Sequence, residues 1–349
     1  MKILARPAFK NKSENPYNWL LYTHIDALGV EVTEFSPYRL LREKYDIWHI
    51  HWPEGGLMCQ NPFQAIRLSL GLLVLIDIAK LQGTKIVWTV HNLKSHESLY
   101  SRLESWFWKS FIRKIDACIH LSQAGREMAF KSFPTLRKYK NTVVPHGHYR
   151  DIYPNFIAKT EARQKLALPL TTKVIAFVGQ IRPYKNIPRL IEVFRQLSDP
   201  QAFLLIAGFP YTPEIEKALK IAAAEDNRIH LYLDMLSENA MQLYLSAADL
   251  VALPYSQILN SGTALLSLSL NRPVLLPSQA TFHELQDVVS KAWLRTYAGE
   301  LTCTEIAAAL DWSLDAPRHN VAHLEALNWT EIAQKTVDYF QTLNSNHKS

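Results

Sequence analysis

At 349 residues the chain is long enough for two domains of ~150 residues each. Its 48% hydrophobic and 20% charged residues exclude wholesale disorder, collagen and coiled coil. Lys and Arg outnumber Asp and Glu by 38 to 32, a net +6 that favours an anionic partner such as nucleic acid, a phospholipid surface or a phosphorylated substrate.

Short β-branched or apolar runs alternate with longer stretches of helical spacing along the whole chain, the pattern of a parallel α/β protein. Strands are predicted at Lys2–Ala5, Asp46–His51, Lys85–His91, Asp116–Leu121 and Thr142–Pro145, with helices at Asn61–Gln82 and Ser98–Lys114. After a polar, proline-bearing linker from Asp151 to Thr172, further strands are expected at Lys173–Gly179, Phe203–Gly208, Arg228–Leu233, Asp249–Pro254 and Pro273–Pro277. Two Rossmann-like units account for this most simply, residues 1–150 and 151–328, followed by a C-terminal helix within 329–349 that packs back on the first. A cleft is expected between the units.

Several functions are disfavoured at this point. The 11 glycines form neither G-x-G-x-x-G nor G-x-x-x-x-G-K, so the dinucleotide fingerprint and the Walker loop are absent. Cys59, Cys118 and Cys303 lack the paired spacing of a zinc knuckle or a disulfide framework, which suits reduced thiols in a cytoplasmic setting. Arg6 and Pro7 stand where a signal peptide needs its apolar stretch. The longest apolar run, Leu68–Ile76, is bounded by Arg67 and Asp77, so no transmembrane helix is expected.

In open parallel sheets ligands bind at the carboxyl ends of strands, so the residues just past each strand are the first candidates. Past Gly179 stand Arg182 and Lys185, two cations able to hold a diphosphate. Past the strand at 249–254 come Tyr255 and then Asn260, Ser261, Gly262 and Thr263, opening an apolar helix whose first N–H groups suit an anion; the plainer reading is an N-cap by Ser261 or Thr263. In the first unit His49 and His51 share one face of a strand, and Glu54 just beyond is a candidate general base raised by nearby Trp52. The two histidines have no third ligand in view, so no metal is assigned. His91, Asn92, His96 and Glu97 follow the next strand and are expected to converge with Glu54, and His146 at the end of the first unit reaches toward the cleft. Trp106, Trp108, Lys109 and Arg113 lie in an aromatic, basic stretch suited to a membrane interface, with core packing as the plainer explanation. No recognised nucleic-acid module accompanies these aromatics, so no nucleic acid is expected as a partner.

Five segments in order, HIHWPE (49–54), HNLKSHE (91–97), HGHYRDIY (146–153), IRPYK (181–185) and NSGTALLSLSLNRPVL (260–275), resemble the GT-B glycosyltransferases, most closely the xanthan-type exopolysaccharide β-mannosyltransferases. The resemblance implies a GT-B fold, two Rossmann-like domains with parallel sheets facing across a cleft. It implies a sugar nucleotide, GDP-mannose, held as substrate rather than cofactor by Gly179, Arg182, Lys185, His146, Tyr255 and Asn260 to Thr263. It implies a lipid-diphosphate-linked glycan acceptor, and with it an enzyme peripheral to an anionic membrane at the inner face of the plasma membrane. Many retaining members carry two glutamates where this chain has Ile258 and Leu266, and Asp-x-Asp is absent, so inverting, metal-independent transfer is implied, with Glu54 or Glu97 as base and His91 on the donor sugar. A UDP- or ADP-sugar donor, a sugar-nucleotide epimerase and a non-catalytic sugar-nucleotide-binding partner stay open as alternatives.

Overall fold

The structure, a computed structural model, describes residues 1–13, 15–94, 99–153, 155–256, 258–318 and 321–344. It divides into two compact units, Met1–Gly147 with Leu327–Ser349, and His148–Ala326.

Unit 1 runs β1 (Lys2–Arg6), α1 (Tyr17–Ala27), β2 (Glu31–Glu34), α2 (Pro37–Arg42), β3 (Ile47–Ile50), α3 (Pro62–Leu81), β4 (Lys85–Val90), α4 (Ser101–Ile112), β5 (Ala117–His120), α5 (Gln123–Ser132) and β6 (Lys140–Val143). Its six strands form one parallel sheet in the order β2-β1-β3-β4-β5-β6. The crossover order puts β1, β3, β4 and β5 in the interior, where they are mostly apolar and almost wholly buried, as strands covered on both faces must be.

Unit 2 runs α6 (Lys159–Lys165), β7 (Lys173–Val178), α7 (Ile187–Arg195), β8 (Ala202–Ala207), α8 (Pro213–Ala223), β9 (Ile229–Tyr232), α9 (Glu238–Ala247), β10 (Leu250–Ala252), α10 (Gly262–Ser269), β11 (Val274–Pro277), α11 (Ala280–Val289), β12 (Leu294–Tyr297) and α12 (Cys303–Asp315). Its parallel sheet is ordered β12-β11-β10-β7-β8-β9. A buried ion pair holds α6 to this sheet: Arg163 Nη2 lies 2.6 Å from Asp249 Oδ2, which also accepts the Val174 N–H at 2.7 Å.

The last helix, α13 (Trp329–Asn344), belongs to unit 1, where Trp329, Ile332, Val337, Phe340 and Leu343 are buried and α13 lies along α1. Gly147 is obligatory here, because a Cβ on it would stand 2.3 Å from the Trp329 ring.

Two strands absent from the sequence expectation are β2 (EVTE) and β12 (LRTY), each at a sheet edge. Edge strands keep polar residues toward water, so their apolar signal is diluted. The apolar run at Leu68–Ile76 continues through both of its flanking charges into the 20-residue α3, the one helix among the described residues that is long and apolar enough to cross a membrane. Ala65, Ser69, Leu72, Leu73, Ile76 and Ala79 are nevertheless buried, so one face of α3 is committed to the domain.

Candidate active site

In unit 1 the candidate residues gather at the carboxyl ends of β3 and β4. His49 and His51 point to the same side, as the period of two requires, and both are buried. They belong to a continuous chain of hydrogen bonds. Thr89 Oγ1 pairs with His49 Nε2 at 2.7 Å, His49 Nδ1 with the Tyr22 hydroxyl at 2.8 Å, that hydroxyl with His51 Nε2 at 2.7 Å, and His51 Nδ1 with His91 Nε2 at 2.9 Å. Burial holds His49 at about 3 and pushes His51 and His91 well below the usual imidazole range, so all three are neutral and each ring presents one donor and one acceptor. Among the described residues no group of three His, Cys, Asp or Glu side chains is placed to hold a metal ion.

After β3 the chain turns through Trp52, whose φ of 44° lies in the left-handed region, into a 3-10 turn at Pro53–Met58. Such backbone is costly for a bulky residue and is often found at functional sites. Here it lays the Trp52 ring on His91, with centroids 4.4 Å apart and planes 23° from parallel. Glu54 follows in the first turn and is only 3% exposed. Burial raises its carboxyl to about 7; the Asn92 amide, donating to Oε1 at 2.8 Å, and the buried Arg6 guanidinium pull the other way, while the Glu104 charge adds to the rise. Asn92 reaches Glu54 and His91 reaches His51, whereas His96 and Glu97 lie outside the described residues.

Nothing in the local pattern marks Tyr17, which stands among the rings of His51, His91, His146 and Trp329 at 5.9, 5.0, 4.6 and 5.3 Å between centroids. His146 is therefore part of this unit-1 aromatic cluster, and burial lowers it to about 4. The spacing of Tyr17, Leu21 and Tyr22 on one helix was the available signal for α1, but it names a buried face and not a function.

In unit 2 the donor candidates converge. Gly179, at the end of β7 with φ +125°, is so placed that a Cβ would lie 3.3 Å from Thr263 Oγ1 and 3.7 Å from Lys185 Nζ. Gly208, after β8 with φ +149°, allows its backbone to approach that of Gly179, where a Cβ would fall 2.0 Å from the carbonyl oxygen. Lys185 is 8% exposed, and burial together with the Arg182 charge lowers it to about 7; among the described residues no carboxylate pairs with it. The half-buried Arg182 stacks on Tyr211, its guanidinium carbon 4.2 Å from the ring centroid. Ser261 is the N-cap of α10, accepting from the Ala264 N–H at 3.0 Å and donating to the buried Tyr255 hydroxyl at 3.3 Å. Its hydroxyl is thus already used, which leaves the first N–H groups of α10, at Gly262 and Thr263, as anion donors. Gly262 also makes room for Tyr149, whose hydroxyl would stand 3.2 Å from a Cβ there.

The membrane-contact set divides. Trp106, Lys109 and Arg113 are exposed, but Trp108 is not available to a membrane: it is 3% exposed, packed against Trp88 and Phe133, with its indole N–H toward Glu104 at 3.4 Å. Residues two apart on a helix face opposite ways, so the pair Trp106 and Trp108 cannot share a surface. On the Trp108 side of α4 lies a cavity of about 630 Å³ lined by Lys94, Glu104, Trp108, Lys109, Arg113 and Phe133 among others.

Comparison with known proteins agrees with this architecture. Residues 158–265 match the family model described as glycosyl transferases group 1. The chain is 34% identical over 326 residues to the GDP-mannose:glycolipid 4-beta-D-mannosyltransferase of Xanthomonas campestris, covering 93% of this chain and 87% of that protein. Among solved structures it is similar to sucrose-phosphate synthase from Thermosynechococcus elongatus, with a TM-score of 0.72, 16% identity and coverage of 99% of this chain and 100% of that one. It is also similar to a trehalose 6-phosphate synthase from Burkholderia multivorans, with a TM-score of 0.67, 11% identity and 99% of each chain covered. Two parallel six-stranded α/β units and kinship across nearly the whole chain lead to one assignment: the chain is a GT-B glycosyltransferase and belongs to the glycosyl transferases group 1 family, as a relative of the Xanthomonas campestris mannosyltransferase.

Proposed function

We propose that this enzyme transfers mannose from GDP-mannose to a glycolipid with inversion at the anomeric carbon. The observation that carries the reading is the buried Lys185 ammonium, set beside Gly179 and Thr263 at the start of α10 without a carboxylate partner among the described residues. A buried amine held near neutrality for want of a counter-charge becomes a stable cation when an anion is placed beside it. The choice of donor and acceptor rests on the activity for which the Xanthomonas relative is named. A β-mannoside formed from an α-linked sugar nucleotide requires inversion, and Leu266, buried in α10, and Ile258 stand where many retaining relatives carry acids.

In this mechanism the diphosphate lies on Arg182, Lys185 and the N–H groups of Gly262 and Thr263, which stabilise the charge that develops as GDP leaves. The acceptor hydroxyl attacks the anomeric carbon and passes its proton to Glu54, a buried carboxylate at about 7 and so poised for base catalysis near neutral pH. His91, held by His51 and covered by Trp52, is assigned to the donor sugar. The cavity beside α4, with Lys94, Lys109 and Arg113 over an aromatic floor, is assigned to the diphosphate and first lipid carbons of the acceptor. The protein cations take the charge-neutralising role, so EDTA should leave the rate unchanged, and a strict need for added magnesium or manganese would refute that assignment.

The deciding experiment is a donor screen with GDP-, UDP- and ADP-sugars, followed by NMR of the product's anomeric centre. A β-mannoside from GDP-mannose supports the reading. An α product ends the inverting mechanism, conversion of the donor without acceptor identifies an epimerase, and binding without turnover identifies a non-catalytic partner. Glu54→Gln should lower the rate by on the order of 10² to 10⁴ with little change in donor affinity. Normal turnover of Glu54→Gln alongside loss in Glu97→Gln would move the base to Glu97.

A further inference from the structure

We propose that the outward face of α3, together with the cationic face of α4, is the surface by which this enzyme lies on an anionic lipid leaflet. The inference deepens the glycolipid reading above and rests on it.

The observation begins with the two faces of α3. One face is buried in the domain. The other carries Phe63, Ile66, Leu70, Val74 and Leu81, spaced three, four, four and seven apart, which is one stripe down a helix about 30 Å long at ~1.5 Å per residue. Phe63 is 81% and Leu81 88% exposed, and the other three are also open to solvent. A soluble domain has no reason to line five turns of surface helix with such residues, and contiguous patches of this kind mark interaction sites. Two charged residues share the arc. Arg67 is exposed, and Asp77 is neutralised by an ion pair with Lys114, just past α4.

The adjoining helix supplies the charge. On α4 the exposed residues Arg102, Trp106, Lys109 and Arg113 recur four, three and four apart, so they occupy one face, and no acid stands among them. The Lys114–Asp77 pair and the Lys80 ammonium, 2.9 Å from both the Lys114 carbonyl and Asp116, tie the neighbourhood of α4 to α3. An apolar stripe beside a cationic stripe with an exposed tryptophan is the composition of an in-plane membrane element, the first entering the acyl boundary and the second meeting lipid phosphates. The same arrangement disfavours self-association through this face, since a two-fold contact would set Arg102, Lys109 and Arg113 against a second cationic stripe. Lys109 and Arg113 also line the cavity assigned to the acceptor, which brings that cavity beside the proposed lipid surface. The apolar component of docking thus comes from α3, and α4 contributes charge.

The test is flotation with vesicles of phosphatidylcholine alone or with phosphatidylglycerol, using the full chain, a Leu70→Gln, Val74→Gln, Leu81→Gln variant, and an Arg67→Gln, Arg102→Gln variant. Glutamine keeps the helix, and circular dichroism with GDP-mannose affinity verifies the fold of each. The wild type should float with phosphatidylglycerol vesicles, the apolar variant should partition at least roughly tenfold less, and the charge variant should lose binding in step with added salt. Transfer to a water-soluble acceptor analogue should be unaltered in the apolar variant. If the wild type floats and the apolar variant floats equally, the assignment to α3 is overturned while the glycolipid reading stands. A wild type that stays at the bottom overturns the docking surface, and the soluble-acceptor assay then reports separately whether the transferase reading survives. A concentration-dependent dimer in ultracentrifugation that the apolar variant abolishes would make the face a self-interface instead.

Discussion

Lys185 and Glu54 illustrate how burial prepares single groups in opposite senses. Lys185, lowered to about 7, is largely neutral in the free enzyme at pH 8, and a diphosphate placed beside it restores the charge. Nucleotide binding at pH 8 should therefore take up close to one proton, a quantity read from calorimetry in two buffers of different ionisation enthalpy; Lys185→Ala should abolish that uptake. Loss of one charged hydrogen bond in Arg182→Ala or Lys185→Ala should weaken nucleotide binding by roughly ten- to a hundredfold, and unchanged affinity in both would remove the cradle from the donor site. Glu54 is raised from 4.5 to about 7, so folding favours its neutral form. Its contribution is fully present below pH ~4.5 and is lost as pH rises through about 7, above which the fold must bury a charge at a cost on the order of 3 kcal/mol. Glu54→Gln should accordingly melt higher than wild type at pH 8.5 and close to it at pH 5. The same shift gives transfer an acidic limb near 7, since only the deprotonated carboxylate accepts the proton.

Among the elements, the parts of the fold legible in the sequence are those buried on two sides. KVIAFV and AFLLIA of β7 and β8 are unbroken apolar runs, and the loop after β7 carries the candidate cations Arg182 and Lys185, at the strand ends where ligands bind in parallel sheets. EVTE and LRTY are not legible, since one hydrogen-bonding edge and part of each side-chain set face solvent. Helix faces are harder still. Trp106 and Trp108 read as one patch along the chain but are separated by the helical rotation, and the stripe on α3 is hidden because both of its faces are apolar. The hydrogen-bonded chain through Tyr22 was out of reach for another reason: its members come from α1, β3 and β4, and only the fold makes them neighbours. Gly147 shows how much one position between elements carries. Gly147→Ala must push against the Trp329 ring, so it should destabilise unit 1 by roughly 1–3 kcal/mol, seen as a lower melting temperature, while nucleotide affinity, which we assign to unit 2, should be retained.

For the whole molecule, chain order and domain order differ. Unit 1 is assembled from the first 147 residues and from the final helix, with all of unit 2 between them. A chain ended at Ala326 keeps every strand of both sheets but lacks Trp329, Val337 and Phe340 against α1. It should lose cooperative melting and protease resistance in unit 1 while residues 148–326 stay protected and bind nucleotide; equal protection of both units would show that α13 is dispensable. The same connectivity orders events during synthesis. The first domain to leave the ribosome is the last to be finished, because the helix that closes it is translated after the entire second domain. Tyr17 and the histidines beside it wait, without their Trp329 neighbour, for most of the time the protein is being made. A nascent or prematurely terminated chain can therefore fold unit 2, with the cradle proposed for the nucleotide, before α13 is available to complete unit 1.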